Sequence, residues 1–192
     1  MVHIRQLETY AEEHNIPIMQ KEGIEFLIEY IEKNNIHTIL EIGTAIGYSA
    51  IRMALLSKQI KVVSIERDEN RFSMAVQNVH DFHLEDQITL LFEDAMHTEL
   101  SETFDLIFID AAKSQYIPFF EKFKKNLNPN GVIISDNLSF HGLVETNEEI
   151  KSRNVRGIVR KIKNYIQFLK ENEEFETTFY KLGDGVGVSK KK

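Results

Sequence analysis

Glu41, Glu66, Asp110 and Asp136 each close a strand-like run, and two of them have a chemical companion nearby: Lys113 follows Asp110 by three residues, and Asn137 directly follows Asp136. Glu41 opens the segment Glu41-Ile-Gly-Thr-Ala-Ile-Gly-Tyr-Ser-Ala50. The run Thr38-Ile39-Leu40 before it and the helical pattern from Ala50 to Leu56 after it make a strand, a glycine turn and a helix. Gly43 and Gly47 let the backbone turn tightly and let a ligand lie against the main chain. The helix N-terminus beyond them offers unpaired N–H groups and the positive end of a dipole. The spacing is E-x-G-x-x-x-G rather than G-x-G-x-x-G. An acid at its head sits badly beside a pyrophosphate and suits an ammonium group.

Glu66 closes a second strand, 61–66, and lies 19 residues after Gly47. In nucleotide-binding α/β folds an acid about 20 residues beyond the glycines hydrogen-bonds ribose hydroxyls. These residues therefore ask for a ligand with an amine, a ribose and no diphosphate, and S-adenosylmethionine meets that description. The competing reading is an ordinary βα turn with a surface glutamate on the next strand.

Asp110, Asp136 and Asn137 bring two carboxylates and an amide to two strand ends, a hard oxygen set that suits an octahedral divalent cation such as Mg2+. There is no cysteine and no histidine cluster to argue for zinc. The same acids can instead cap the loops that follow. Lys113 can take a proton from a substrate hydroxyl, only orient that hydroxyl, or be a solvated lysine at a helix start. Together these residues suggest methyl transfer to an oxygen in one displacement step, with the protein supplying position and charge stabilisation.

Positioning such groups takes an alternation of strands and helices. Strand patterns fall at 38–42, 61–66, 87–92, 104–110 and 131–136, with helical patterns near 47–57, 69–81 and 114–126 between them. This predicts an α/β fold with a parallel sheet covered on both faces, whose ligand site lies outside the carboxyl ends of the strands. The N-terminal segment to about residue 35 reads as helical, with Phe26, Leu27, Tyr30 and Ile31 on one face. A long helix from about Val155 to Glu171 precedes a hairpin, 175–182 and 186–189, around Gly183-Asp184-Gly185. A parallel sheet closed by an antiparallel hairpin is the Rossmann-like class I methyltransferase arrangement, with seven strands. The 192 residues are expected to form one domain. No apolar stretch reaches the roughly 20 residues that span a bilayer, and the polar N-terminus does not look like an export signal, so the expected place is the cytoplasm.

The set Glu41-Ile-Gly-Thr-Ala-Ile-Gly-Tyr-Ser49, Asp110-Ala-Ala-Lys113 and Asp136-Asn137 resembles the metal-dependent O-methyltransferases of the catechol and caffeoyl-CoA type, over nearly the whole chain. By that resemblance Glu41 and Ser49 hold the methionine part of S-adenosylmethionine, helped by the backbone at Ile18 and Met19. Glu66 takes the ribose, and Asp94 with Ala95 meets the adenine. Asp110, Asp136 and Asn137 match the metal ligands, with Asp110 also bordering the donor, and Lys113 matches the proposed base. The resemblance implies a homodimer as well. Within the family, Ile16–Gly23, Asp110–Tyr116 and Gly183–Ser189 look like bacterial enzymes that methylate 5-hydroxyuridine at the tRNA wobble position to 5-methoxyuridine.

A feature outside the resemblance also points to RNA. The net charge is −7, yet residues 151–163 carry six lysines and arginines and no acid. On a helix, Arg153, Arg156, Arg160 and Lys163 share one face, a stripe that can hold the phosphates of an anticodon loop. The alternative is a solvated face paired with Glu148, Glu149 and Glu171. His141, just beyond the metal pair, is expected in a loop that borders the substrate mouth, where it can touch substrate or, as the plainer reading, be an ordinary loop residue. Three rival functions remain. A small-molecule catechol-like O-methyltransferase keeps fold, donor and metal. A nicotinamide-dependent oxidoreductase would want G-x-G-x-x-G. A non-enzymatic binding module would have no use for the combined acids and lysine.

Overall fold

The computed structural model describes residues 4–146 and 150–192. Two helices, α1 (Ile4–Glu13) and α2 (Lys21–Lys33), lead into β1 (Thr38–Ile42), α3 (Tyr48–Ala54), β2 (Lys61–Glu66), α4 (Glu69–Asp81), β3 (Ile88–Phe92) and β4 (Phe104–Ile109). Then come α5 (Tyr116–Phe123), flanked by two 3-10 turns, β5 (Leu127–Ser135), α6 (Arg153–Lys170), β6 (Phe175–Tyr180) and β7 (Val186–Lys191). The seven strands form one sheet in the order β3-β2-β1-β4-β5-β7-β6. The first five in that order run parallel; β7 is antiparallel to β5, and β6 to β7. This is the Rossmann-like methyltransferase sheet that the sequence predicts.

Side chains alternate across the sheet, as the two-residue period of a strand requires. Ile39, Phe108 and Ile134 enter one apolar layer with Leu27 and Ile31 of α2 and Ile51 of α3. Leu40, Ile107 and Ile133 enter the other with Phe120 of α5 and Tyr165 of α6. Each of those strand residues is fully buried, which is why β1, β4 and β5 read as continuous apolar runs instead of alternating ones. β2 leaves β1 on one side and β4 adjoins it on the other. The chain therefore reverses its winding between β1 and β4, and a crevice opens at their carboxyl ends.

Three elements differ from expectation. The N-terminal helical segment is two helices, broken where Asn15 takes a left-handed φ of 52° and Pro17 follows. β5 begins four residues early, at Leu127, and ends before Asp136. β4 likewise stops at Ile109, so Asp110 and Asp136 both lie in the loops beyond their strands. Among the described residues no helix is long and apolar enough to cross a membrane.

Candidate active site

The glycine turn after β1 is shaped by close backbone approach. Gly43 has φ +101°, and a Cβ there would lie 2.1 Å from the Asp110 carbonyl oxygen. Only glycine lets the ends of β1 and β4 come this near. Gly47, at φ 85°, is the N-cap of α3. The Glu66 carboxylate holds the turn from the neighbouring strand. One oxygen accepts the Ala45 N–H (2.9 Å), and the other accepts those of Arg67 and Asp68 (both 2.9 Å). Glu66 thus shapes the loop as well as facing the crevice.

A cavity of about 620 Å³ opens over this turn. Ile18, Met19, Gly43, Ser49, Glu66, Asp94, Ala95, Asp110, Lys113 and Asn137 all line it. Ten side chains or backbone segments assigned from sequence thus meet in one crevice, drawn from the α1–α2 connection and the ends of β1 through β5. Glu41, Gly47 and Asp136 do not line it. Glu41 is fully buried behind the wall, where the hydroxyls of Ser49 and Ser64 donate to its two oxygens. Burial pushes its carboxyl up to about 8, against the lowering effect of both serines; Asp110 and Glu66 add to the rise. Its influence on a ligand passes through Ser49, which does reach the cavity. Asp94 is held below the usual carboxylate range chiefly by the Met96 N–H (2.8 Å) and also by Arg67 (3.2 Å).

In the same cavity, Lys113 places its ammonium against Asp110 Oδ1 (3.2 Å) and in close contact with Asn137 Oδ1. Asn137 in turn donates to Asp136 Oδ2 (3.1 Å). The other Asp136 oxygen, Oδ1, is buried with no hydrogen-bond partner among the described residues. An orphaned carboxylate oxygen needs a partner. Burial and the neighbouring Asp110 charge push Asp136 up to about 8, partly offset by the Asn137 N–H and Lys113. Two oxygens that already gather a cationic side chain, and a third with no partner, fit a divalent cation. Among the described residues no group of three or more His, Cys, Asp or Glu side chains is placed to hold a metal ion, so such a site rests on two acids and an amide.

A second concavity, a groove of about 1330 Å³, adjoins the first. Ala111, Ala112, Lys113 and Phe140 line both. Its other wall is α6, including Arg153, Arg156, Arg160, Lys161 and Lys163. α6 starts at Arg153, earlier than the sequence suggests, because Ser152 caps it by accepting the Val155 N–H (3.4 Å). Arg153, Arg160 and Lys163 are exposed and make no ion pair among the described residues. Arg156 is different: its guanidinium donates to the Ile150 (2.6 Å) and Lys151 (3.0 Å) carbonyls and so holds the start of the helix. Glu148 and Glu149 lie outside the described residues.

Three participants escaped the sequence. Ser64 partners Glu41 from the adjoining strand, Phe140 stands where the two concavities meet, and Asp184 of the hairpin turn lines the cavity over the glycine turn. Only the Gly183-Asp184-Gly185 turn carried a signal, and it spoke of a hairpin.

A crevice at the winding reversal, a glycine turn before a helix and acids on successive strand ends define a class I methyltransferase architecture. The chain belongs to the O-methyltransferase family, a group of S-adenosylmethionine-dependent enzymes, whose family model matches residues 1–192. A caffeoyl-CoA O-methyltransferase of Populus kitakamiensis is 26% identical over 178 residues, covering 86% of this chain and 74% of that protein. A catechol O-methyltransferase of Niastella koreensis is 33% identical over 113 residues, 55% of this chain and 51% of that one. A Staphylococcus aureus crystal structure, proposed to be a caffeoyl-CoA O-methyltransferase, is 36% identical with a TM-score of 0.95, covering 100% of this chain and 93% of its own. An O-methyltransferase from Bacillus cereus in complex with S-adenosylhomocysteine is 28% identical with a TM-score of 0.81, covering 98% and 90%.

Proposed function

We propose that this O-methyltransferase acts on tRNA, methylating 5-hydroxyuridine at the wobble position to 5-methoxyuridine with magnesium as its metal. The observation that carries the RNA substrate is the continuity of the two concavities: a groove walled by the basic face of α6 runs into the donor cavity at Lys113 and Phe140. Phosphates of an anticodon loop can lie along Arg153, Arg160 and Lys163 while one unstacked base reaches the junction.

Ser49, backed by Glu41, and the main chain of Ile18 and Met19 would hold the methionine end of the donor; Glu66 the ribose; Asp94 and Ala95 the adenine. Asp110, Asp136 and Asn137 would hold Mg2+, which when bound lowers the pKa of a coordinated hydroxyl and fixes its oxygen. The 5-oxygen and 4-carbonyl of the base are adjacent and can share one cation as a catechol does. Lys113 stands beside Asp110 and Asn137, where as a neutral amine it would take the hydroxyl proton and as an ammonium it would only orient the hydroxyl oxygen. Pairing of two chains through the N-terminal helices, where Tyr10 of α1 is exposed, belongs to the same proposal.

A second reading, O-methylation of a small catechol-like phenol, is favoured by the names of the caffeoyl-CoA and catechol relatives. Labelled donor, magnesium and either bulk tRNA carrying 5-hydroxyuridine or a panel of catechols separate the two. Label entering tRNA alone, and none in excess chelator, is the expected result. Label in catechols alone overturns the RNA substrate, and full transfer in chelator overturns the metal.

A further inference from the structure

Asp184 is a carboxylate that neither donor nor metal chemistry uses. It sits at the turn between β6 and β7, where charged residues normally face water, yet it is 4% exposed and lines the donor cavity. Its side chain accepts the backbone N–H of His141 in a close contact. Its own carbonyl accepts the Ser139 N–H (2.7 Å), and the next carbonyl, that of Gly185, accepts the Leu138 N–H (3.0 Å). Three contacts from one hairpin turn thus clip the loop 138–141 that directly follows Asp136 and Asn137. The approach is tight: a Cβ at Gly185, whose φ is 85°, would lie 2.8 Å from the Ser139 nitrogen.

That loop needs holding. Asn137, Phe140 and His141 have φ of 59°, 49° and 56°, a left-handed region that L-residues other than asparagine and aspartate enter reluctantly. Such conformations persist where surrounding contacts over-determine them. Within the loop, the Leu143 N–H bonds Phe140 and the Val144 N–H bonds Ser139. These close a local turn without fixing it to the sheet. Leu138 anchors the start of the loop in the apolar layer with Tyr165 and Leu169. Beyond it the hairpin contacts join the loop to the fold, and the loop's first residue, Asn137, carries the amide oxygen that meets Lys113.

We propose that Asp184 is a positioning residue for the acceptor side of the site. By holding the His141 N–H it sets the 137–141 loop, so that the Asn137 oxygen faces Asp110 and Lys113 and Phe140 stands at the junction with the basic groove. The positioning role is that of a hydrogen-bond acceptor, which a neutral acceptor of the same shape can fill, although it removes a negative charge that also acts on Asp136. The metal part rests on the reading of Asp110, Asp136 and Asn137 as cation ligands.

Three proteins test this: wild type, Asp184→Ala and Asp184→Asn. Manganese affinity is measured by electron paramagnetic resonance, S-adenosylhomocysteine affinity by calorimetry, and loop order by amide exchange. The His141 and Ser139 amides of the wild type should be protected relative to Phe140, whose N–H has no hydrogen-bond partner among the described residues. Asp184→Ala should lose the protection of His141, whose N–H meets the side chain, while Ser139, bonded to the backbone carbonyl of residue 184, keeps its own. Manganese affinity should fall by up to about tenfold, the low end of the effect of removing a partner outside the ligand set, and S-adenosylhomocysteine should bind as it does to wild type. Asp184→Asn should keep the His141 protection and the S-adenosylhomocysteine affinity of wild type, and lose less manganese affinity than alanine. An unprotected His141 amide in the wild type overturns the proposal whatever the variants do, including an Asp184→Ala protein that fails to fold. So does Asp184→Ala with wild-type exchange, or Asp184→Asn that falls as far as alanine. A wild type that binds no manganese counts against the metal reading instead, and the exchange comparison alone then decides the role of Asp184.

Discussion

Glu41 shows how one residue's setting fixes its chemistry. Its carboxyl is pushed from 4.5 up to about 8, chiefly by burial. Between those two values the folded chain keeps a proton that the unfolded chain has released. Stability from this group is therefore fully present below about pH 4.5 and is lost as pH rises toward 8. A shift of this size corresponds to a few kcal/mol at most. Glu41→Gln mimics the protonated acid and does not titrate. Urea melts at pH 5.5 and 8 should show a smaller loss of stability for this variant than for the wild type; equal losses would mean the acid is ionised throughout. Glu66 leads to a different expectation. Its oxygens take three backbone N–H groups as well as facing the cavity, so Glu66→Ala should weaken S-adenosylmethionine binding by about 1–3 kcal/mol. Unchanged affinity by calorimetry would remove Glu66 from the donor site. Glu41 and Glu66 were legible because each closes a strand at a meaningful distance from the glycines. Ser64 was not, since it meets Glu41 only through the parallel register of β1 with β2, and sequence spacing carries no register.

The α1 helix illustrates the next scale. Its Glu8 accepts the Tyr48 hydroxyl (2.7 Å) at the start of α3, and Arg52, one turn on, donates to that same hydroxyl (2.9 Å). Burial, then the Glu8 contact, push the Tyr48 hydroxyl up to about 12. The tie spans the connection whose residues Pro17 to Gln20 line the donor cavity. Tyr48→Phe should cost about 0.5–1.5 kcal/mol, the usual value of one such hydrogen bond. Amide exchange should rise in α1 before it rises in the sheet. Uniform loosening, or none, would show that α1 is held by its apolar face and the Arg52–Glu8 ion pair (3.7 Å) without need of the hydroxyl. Apolar runs revealed β1, β2 and β4 because buried parallel strands have no polar face to confuse the pattern. The break between α1 and α2 was missed because both helices share the helical period, and the left-handed turn at Asn15 leaves little trace in it. β5 was cut short because Asn128, Pro129 and Asn130 read as a loop. Proline is tolerated near the start of a strand, where its ladder partner is lacking; β4 and β5 shift register at this end.

At the scale of the molecule, the charge distribution opposes itself: a chain of net charge −7 keeps a groove walled by cations. Long-range repulsion of a polyanion and local attraction to α6 therefore act together, and salt screens both. Close phosphate contacts release condensed counterions, which makes affinity fall with the logarithm of salt by about 0.7 per contact on single strands and 0.9 on duplex. The residues to change follow from the partners each one has. Arg156 donates to the Ile150 and Lys151 carbonyls, so its removal would disturb the start of α6 as well as the charge. Arg160 and Lys163 are exposed and lack ion pairs among the described residues, so their loss should be purely electrostatic. The double variant Arg160→Ala, Lys163→Ala should bind tRNA more weakly, with a salt slope shallower by about 0.7–0.9 for each contact removed. Its S-adenosylmethionine affinity and melting temperature should stay close to wild type. A filter-binding series over salt gives the slope directly. Wild-type slope together with wild-type affinity would make the stripe a solvated surface, and the substrate would then have to be recognised inside the junction at Lys113 and Phe140 alone.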